Sequence, residues 1–255
     1  MSATTGTLYL VPAPLDFGCK ESAPLTDVMP LATLQIAARL PQWICENAKS
    51  TRAYLKRVNE LQPLSVPLQA LHIQELPREV HKKGDHIGNF DAKPLLGAAL
   101  AGHDMGLVSE AGMPAIADPG ASVVRAAHAL GIAVVPLVGP SSLLLSLAVS
   151  GMNGQSFAFV GYLPQDPAQR QARIRELEGL AQKTGQTQIF IETPYRNTAV
   201  LQALLAHLQP RTRLSASFGM TLSSMVSHSD AAAQWRLLPP GKLPLELPAV
   251  FCIGT

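Results

Sequence analysis

Cysteine is scarce and scattered. Cys19, Cys45 and Cys252 are odd in number and show no ligand spacing, which argues against a disulfide framework and against a metal site. They read as reduced thiols in a cytosolic protein, with Cys45 and Cys252 inside expected strands. Charge is also sparse: 15% of residues are charged, 47% are hydrophobic, and the net charge is +2. That balance excludes a disordered chain and gives no whole-chain argument for nucleic acid, although a local basic patch stays open. Long apolar runs are missing. The stretch 143–149 is far too short to span a membrane, and the N-terminus lacks a basic region followed by an apolar one, so a cytoplasmic location is expected. No G-x-G-x-x-G follows the first strand, and no G-x-x-x-x-G-K-[ST] or G-x-S-x-G occurs. The usual dinucleotide, triphosphate and serine-hydrolase signatures are thus lacking.

What is present is a clear βαβ unit at 108–140, VSEAGMPAIADPGASVVRAAHALGIAVVPLVGP. An apolar run at 105–108 meets a turn cluster at 109–114. Asp118-Pro119-Gly120 opens a helix. A β-branched run at 132–135 then closes on Val138-Gly139-Pro140. Ligands of open α/β sheets bind outside the carboxyl ends of strands, so these two loops are the first place to look for a site.

The rest of the chain alternates in the same way. Strands are expected at 8–11, 43–45, 188–191, 214–218 and 249–253, with another starting at Phe157. Helices are expected at 26–39 (interrupted near Pro30), 51–61, 93–101, 141–149, 168–182 and 197–208. Residues 66–73 read as irregular to extended, 75–90 as a polar loop, and the proline-rich 237–248 as loop or edge. At 255 residues there is room for two modest cores. Linker chemistry at Met152-Asn153-Gly154-Gln155 places the boundary between domains 1–153 and 154–255, both α/β.

Two groups of side chains have open readings. His81, Lys82, Lys83, Asp85 and His86 form either a solvated loop or a basic mobile segment over a substrate site. Ser141 and Ser142 are expected to cap the helix they open, which is compatible with ligand contact at a helix N-terminus.

SEAGMPAIADPG, GIAVVPLVGPSS, FAFVGYLP and IFIETPYRN, in this order, resemble the tetrapyrrole methylase superfamily of S-adenosylmethionine-dependent methyltransferases. The likeness is nearest to its small-subunit ribosomal RNA cytidine 2′-O-methyltransferase branch. It implies a tetrapyrrole methylase-like fold of two α/β domains with the ligand cleft between them. It also implies a homodimer, S-adenosylmethionine as methyl donor, and ribosomal RNA as acceptor. Carried over, Leu10 and Pro12 flank the cleft, and Ser109, Glu110, Ala111, Gly112 and Pro114 cup the donor. Ser141, Ser142, Tyr162 and Leu163 follow as donor contacts, with Ala216 and Pro248 as weaker matches.

The departures lie on the acceptor side. The branch carries T-P-I-G-N after strand one; this chain has Ala13-Pro14-Leu15-Asp16-Phe17. Its E-D-T-R reads Glu46-Asn47-Ala48-Lys49 here, with Arg52 three residues on, and its donor-loop Asp is Glu110. Glu46, Lys49 and Arg52 are the catalytic candidates, because a ribose hydroxyl needs a group that accepts or polarises its proton. Glu46 has the alternative of pairing with Lys49 or Arg52. Glu192, with Tyr195 and Arg196, faces the same cleft or fixes a turn. Three functions stay in play: an RNA methyltransferase, a methyltransferase for a small tetrapyrrole-like acceptor, and a non-catalytic S-adenosylmethionine-binding protein.

Overall fold

The computed structural model describes residues 4–83, 85–86, 90–239 and 241–255, with the backbone alone for 81–83. Its contacts divide the chain into two units. The first runs to Gly18 and from Ser22 to Pro140; the second holds Cys19–Glu21 and Ser141–Thr255.

The first unit contains β1 (Thr7–Leu10), α1 (Leu25–Val28), α2 (Leu31–Arg39), β2 (Gln42–Cys45), α3 (Ala48–Leu61), β3 (His72–Glu75), α4 (Arg78–Lys83), α5 (Gly97–Leu100), β4 (Met105–Val108), α6 (Ala121–Ala129) and β5 (Ala133–Pro136). The strands make a parallel sheet in the order β3-β2-β4-β1-β5. All its carboxyl ends therefore open on one edge. Period-2 alternation sends Trp43, Cys45 and Val108 into the core under α2 and α3, and Leu8, Ile44 and Leu107 into the core under α5 and α6. Both faces are covered, as a parallel sheet requires.

The second unit contains α7 (Ser142–Ser150), β6 (Phe157–Phe159), α8 (Pro167–Thr184), β7 (Thr187–Glu192), α9 (Asn197–His207), β8 (Arg213–Phe218), β9 (Val226–Ala231), α10 (Ala232–Trp235) and β10 (Ala249–Gly254). Its sheet order is β6-β7-β10-β8-β9, with β6 and β7 parallel and every other pair antiparallel. Phe251 anchors the larger core, stacked on Phe190 at 5.5 Å and edge-on to Phe218 at 6.0 Å.

Several elements differ from the sequence reading. The supposed loop at 75–90 contains α4, and 66–73 leads into β3. Strand β9 was not expected at all. Both β3 (HIQE) and β9 (VSHSDA) are edge strands with little apolar character, held by backbone pairing to a single neighbour. They lack the alternation that marks a half-buried strand. Helix α3 starts one turn early because Asn47 Oδ1 accepts from the Lys49 and Ser50 amides at 2.8 and 3.3 Å. Helix α7, placed with the N-terminal domain from the sequence, packs Leu143 and Leu147 against Ile189, Val250 and Cys252 of the second unit.

Candidate functional site

Three loops meet at the carboxyl edge of the first sheet. After β1 the chain is anchored by Val11 N–H on Leu107 O, 2.8 Å. Ala13 and Gly112 then exchange both backbone hydrogen bonds, at 2.9 and 3.0 Å, as an isolated antiparallel bridge. Gly112 has φ +69°, and a Cβ there would lie 3.3 Å from Leu15 Cδ2. The loop after β5 closes in the same way: Leu137 N–H bonds Leu10 O at 2.9 Å, and a Cβ on Gly139 would fall 2.3 Å from Pro12 Cγ. Glycine is thus needed at 112 for its positive φ and at 139 because the Pro12 ring leaves no room for a Cβ. Leu10, Pro12, Ser109, Glu110, Ala111, Gly112 and Pro114, all expected donor-site residues, are grouped on this edge. Ala115 and Ala117 just beyond them hold φ of 64° and 66°, a strained conformation for alanine.

Beside this junction lies a cavity of about 210 Å³ lined within the first unit. Pro14, Asp16 and Phe17 come from the loop after β1. Ser50, Tyr54 and Arg57 come from α3, and Ser109 and Glu110 from the end of β4. Asp16 stands where the resembled branch carries glycine, and the structure shows what it does. Its carboxylate receives Arg57 Nη1 at 3.1 Å and the Ala23 amide at 3.1 Å, while Arg57 Nη2 donates to Ala23 O at 2.6 Å. The altered turn is therefore bolted to α3 by an ion pair. Sequence could not reveal this link between residues 41 apart.

Three carboxylates crowd the ends of β2 and β4. Glu46 Oε1 accepts the Glu110 amide at 3.3 Å, and Ser50 Oγ donates to Glu110 Oε1 at 3.3 Å. Asp118 is pushed up to about 7 by burial, then by the charges of Glu46 and Glu110. It lay inside the motif read from sequence but was not singled out. Lys49 and Arg52 are exposed on the first turns of α3, and Arg52 Nη1 reaches Ala48 O at 3.5 Å. Burial pushes the Cys45 thiol up to about 11 and the Cys252 thiol to about 12, in keeping with inert core cysteines.

The segment at 75–90 is not a solvated loop throughout. Asp85 is 5% exposed and its Oδ2 accepts from the Gly120 amide and from the Ser122 amide and hydroxyl, at 2.6–2.9 Å. Burial alone would raise its pKa, but those hydrogen bonds hold it below the ordinary value. Arg125 Nη2 fastens Asp85 O at 2.6 Å. The side chains of His81, Lys82 and Lys83 lie outside the described residues.

In the second unit, Ser141 occupies the N-cap of α7 without a side-chain capping bond, contrary to the expectation for it, and Ser142 is the first helical residue. Tyr162 is 53% exposed and Leu163 is buried. Ala216 is fully buried in the core with Trp235 and Phe251, so its side chain faces packing; Pro248 is exposed, with its carbonyl accepting Gly219 N–H at 3.0 Å. Glu192 is 4% exposed and lies 3.2 Å from Arg196 Nη2, which also donates to Leu163 O at 2.9 Å. This is the turn-fixing network; Tyr195, beside it, is 82% exposed.

The family model for tetrapyrrole (corrin/porphyrin) methylases matches residues 32–221. A ribosomal RNA small subunit methyltransferase I of Xylella fastidiosa is 34% identical over 195 residues, 76% of this chain and 61% of that one. Its counterpart in Vibrio cholerae is 32% identical over 198 residues, 78% of this chain and 59% of that one. The chain thus spans about three-fifths of the length of the curated relatives it matches. Among solved structures, the methyltransferase CobJ aligns with TM-score 0.58 and 17% identity over 98% of this chain and 95% of that one. The native form of the uroporphyrin III C-methyltransferase of Thermus thermophilus aligns with TM-score 0.55 and 17% identity, over 98% and 97%. These two likenesses establish the fold.

Proposed function

The chain belongs to the tetrapyrrole (corrin/porphyrin) methylase family, and from that premise we propose that it is an S-adenosylmethionine-dependent methyltransferase that modifies a ribose 2′-hydroxyl of ribosomal RNA. The observation that carries this reading is the carboxyl edge of the first sheet. There the loop Ser109 to Gly112, small except for Glu110, is fixed by backbone pairing to Ala13, beside the carboxylates Glu46, Glu110 and Asp118. The relatives named for ribosomal RNA methylation support the choice of acceptor.

S-adenosylmethionine supplies an electrophilic methyl group on a sulfonium. The backbone of the Ser109–Gly112 loop and the buried Ser109 hydroxyl would hold it on the first unit. The fit rests on Gly112, whose positive φ opens the backbone, and on the Ser109 Oγ, which has no partner among the described residues. In-line displacement needs alignment and exclusion of water more than strong bases. Glu46 stands at the end of β2 as acceptor of the ribose proton, with Asp118 as a second carboxyl whose pKa near 7 suits proton exchange. Lys49 and Arg52, exposed at the start of α3, would meet the RNA backbone.

We further assign a homodimer, consistent with Leu144, Leu145 and Val149 standing exposed on α7, and a cytoplasmic site of action among ribosomes. No helix of the described residues is long and apolar enough to cross a membrane. The test is calorimetric titration with S-adenosylmethionine and S-adenosylhomocysteine, followed by transfer of a labelled methyl group to isolated small ribosomal subunits. Micromolar binding with label in RNA is expected. Binding with label only in a small tetrapyrrole, or in nothing, would overturn the RNA assignment.

A further inference from the structure

The turn after β7 is fixed from both ends. Glu192 Oε1 accepts the Thr193 amide at 2.8 Å and the Thr193 hydroxyl at 3.3 Å, and Arg196 N–H closes on Thr193 O at 2.9 Å. Pro194 opens the short helical turn Pro194–Arg196 and presets its backbone. Beyond it Asn197, fully buried, donates to Leu245 O and Leu247 O, both at 2.8 Å. Tyr195 is the side chain this mount presents. Its ring is 82% exposed, more than any other large apolar side chain among the described residues. A rigid turn offers that ring to a ligand with little ordering left to do on binding. A cation stands close by. Arg196 Nη2 and Arg170 Nη1 both reach Pro164 O, at 3.4 and 3.5 Å. Arg196 is balanced by Glu192, but Arg170 has no carboxylate within ion-pair distance among the described residues. Protein hot spots seat a tyrosine among apolar groups that exclude water. Tyr195 instead stands in the chain among Thr193, Pro194, Arg196 and the exposed Thr198, with no large apolar residue beside it. A lone aromatic face next to an unbalanced guanidinium is the equipment that binds single-stranded nucleic acid.

We propose that Tyr195 is a stacking platform for an unpaired base of the RNA, other than the nucleotide that is methylated, with Arg170 against an adjoining phosphate. The assignment rests on the RNA methyltransferase reading above. Tyr195 is here a positioning residue: it holds the strand and touches no reacting atom. Stacking tolerates any base, so the contact anchors the strand without choosing its sequence. Duplex RNA keeps its bases stacked on one another and has no free face to give the ring.

The test uses the full-length protein and a short single-stranded RNA carrying the fluorescent base 2-aminopurine, with its duplex for comparison. Binding of the single strand is expected to quench the fluorescence. Tyr195→Ala is expected to weaken that binding about tenfold, the loss of one base stack. Tyr195→Phe keeps the aromatic face and is expected to bind as the wild type does. Tyr195→Ala is also expected to raise the KM for the RNA acceptor about tenfold at constant kcat. Duplex binding, the salt dependence of binding, S-adenosylhomocysteine affinity and the denaturation midpoint are expected to stay unchanged, because no phosphate contact, donor contact or packing is lost. No binding of the single strand, wild-type affinity in Tyr195→Ala, a loss shared by Tyr195→Phe, or an equal loss on the duplex would overturn the assignment. So would a Tyr195→Ala protein that is monomeric by light scattering where the wild type is dimeric, because the ring would then belong to a contact between protomers. If no methyl group is transferred to RNA while single-strand binding still depends on the ring, the methyltransferase reading falls and the platform stands.

Discussion

The carboxylates of the second unit and those at the sheet edge of the first are arranged in opposite ways, although Asp85 of the first unit, buried elsewhere, is also ringed by donors. In the second unit Glu178 accepts the Gln209 amide at 2.7 Å and the Thr212 hydroxyl at 2.5 Å, and Glu192 has Arg196 beside it. Each is surrounded by donors. In the first unit Glu46, Glu110 and Asp118 repel one another at the strand ends. Opposite partners make a scaffold; like neighbours store unfavourable energy, and folds retain that mostly where chemistry uses it. The contrast sets carboxylates held by donors apart from the edge where the proposed site lies.

The strongest way to break the comparison is at Arg196. Arg196→Ala leaves Glu192 buried without its cation and frees two carbonyls, and should cost about 3 kcal/mol in chemical denaturation. A loss below about 1 kcal/mol would put the second unit's carboxylates on the same footing as the first unit's. Next comes the bolt on the altered turn. Arg57→Ala should cost about 1–2 kcal/mol, and a double-mutant cycle with Asp16→Gly should return most of it as coupling. The same variants should lose methyl transfer through a raised acceptor KM.

The like-charge edge has a pH signature. Asp118 binds its proton more tightly folded than unfolded, so stability should fall as pH rises from about 4 to about 7. Asp118→Asn should flatten that slope and gain about 1–2 kcal/mol near pH 8, less than full linkage because the group is partly solvated. An unchanged slope would remove the repulsion from the account. The smallest effect is local. Ala115→Gly or Ala117→Gly should stabilise by about 0.5–1 kcal/mol, measurable as a shift in denaturation midpoint, because glycine relieves a positive φ.

The parallel half was readable where apolar runs are punctuated by turns: 105–108 matches the buried β4, and the β-branched run 132–135 matches the exposed β5 within a residue. The polar edge strands β3 and β9 were not, unlike the apolar edge strands β5 and β6, since polar residues pairing through backbone leave no pattern. The motif at 109–120 located the sheet edge where Ser109, Glu110 and Gly112 gather. It could not locate Tyr54, a core residue on the apolar face of α3 whose hydroxyl has no partner among the described residues and lines a cavity. Nor could it separate a decayed turn from a rebuilt one at Asp16, because Arg57 arrives from another element. Patterns along the chain report burial; they do not report partners brought in by folding.

The Ala13–Gly112 bridge has a kinetic consequence. Two mutual hydrogen bonds across an otherwise parallel sheet act as a crossbar between separate crossover connections. Neither loop can swing away alone without breaking both bonds. Hydrogen exchange at the two amides should therefore report a single opening event, with matched rates that slow together when either neighbouring site is filled.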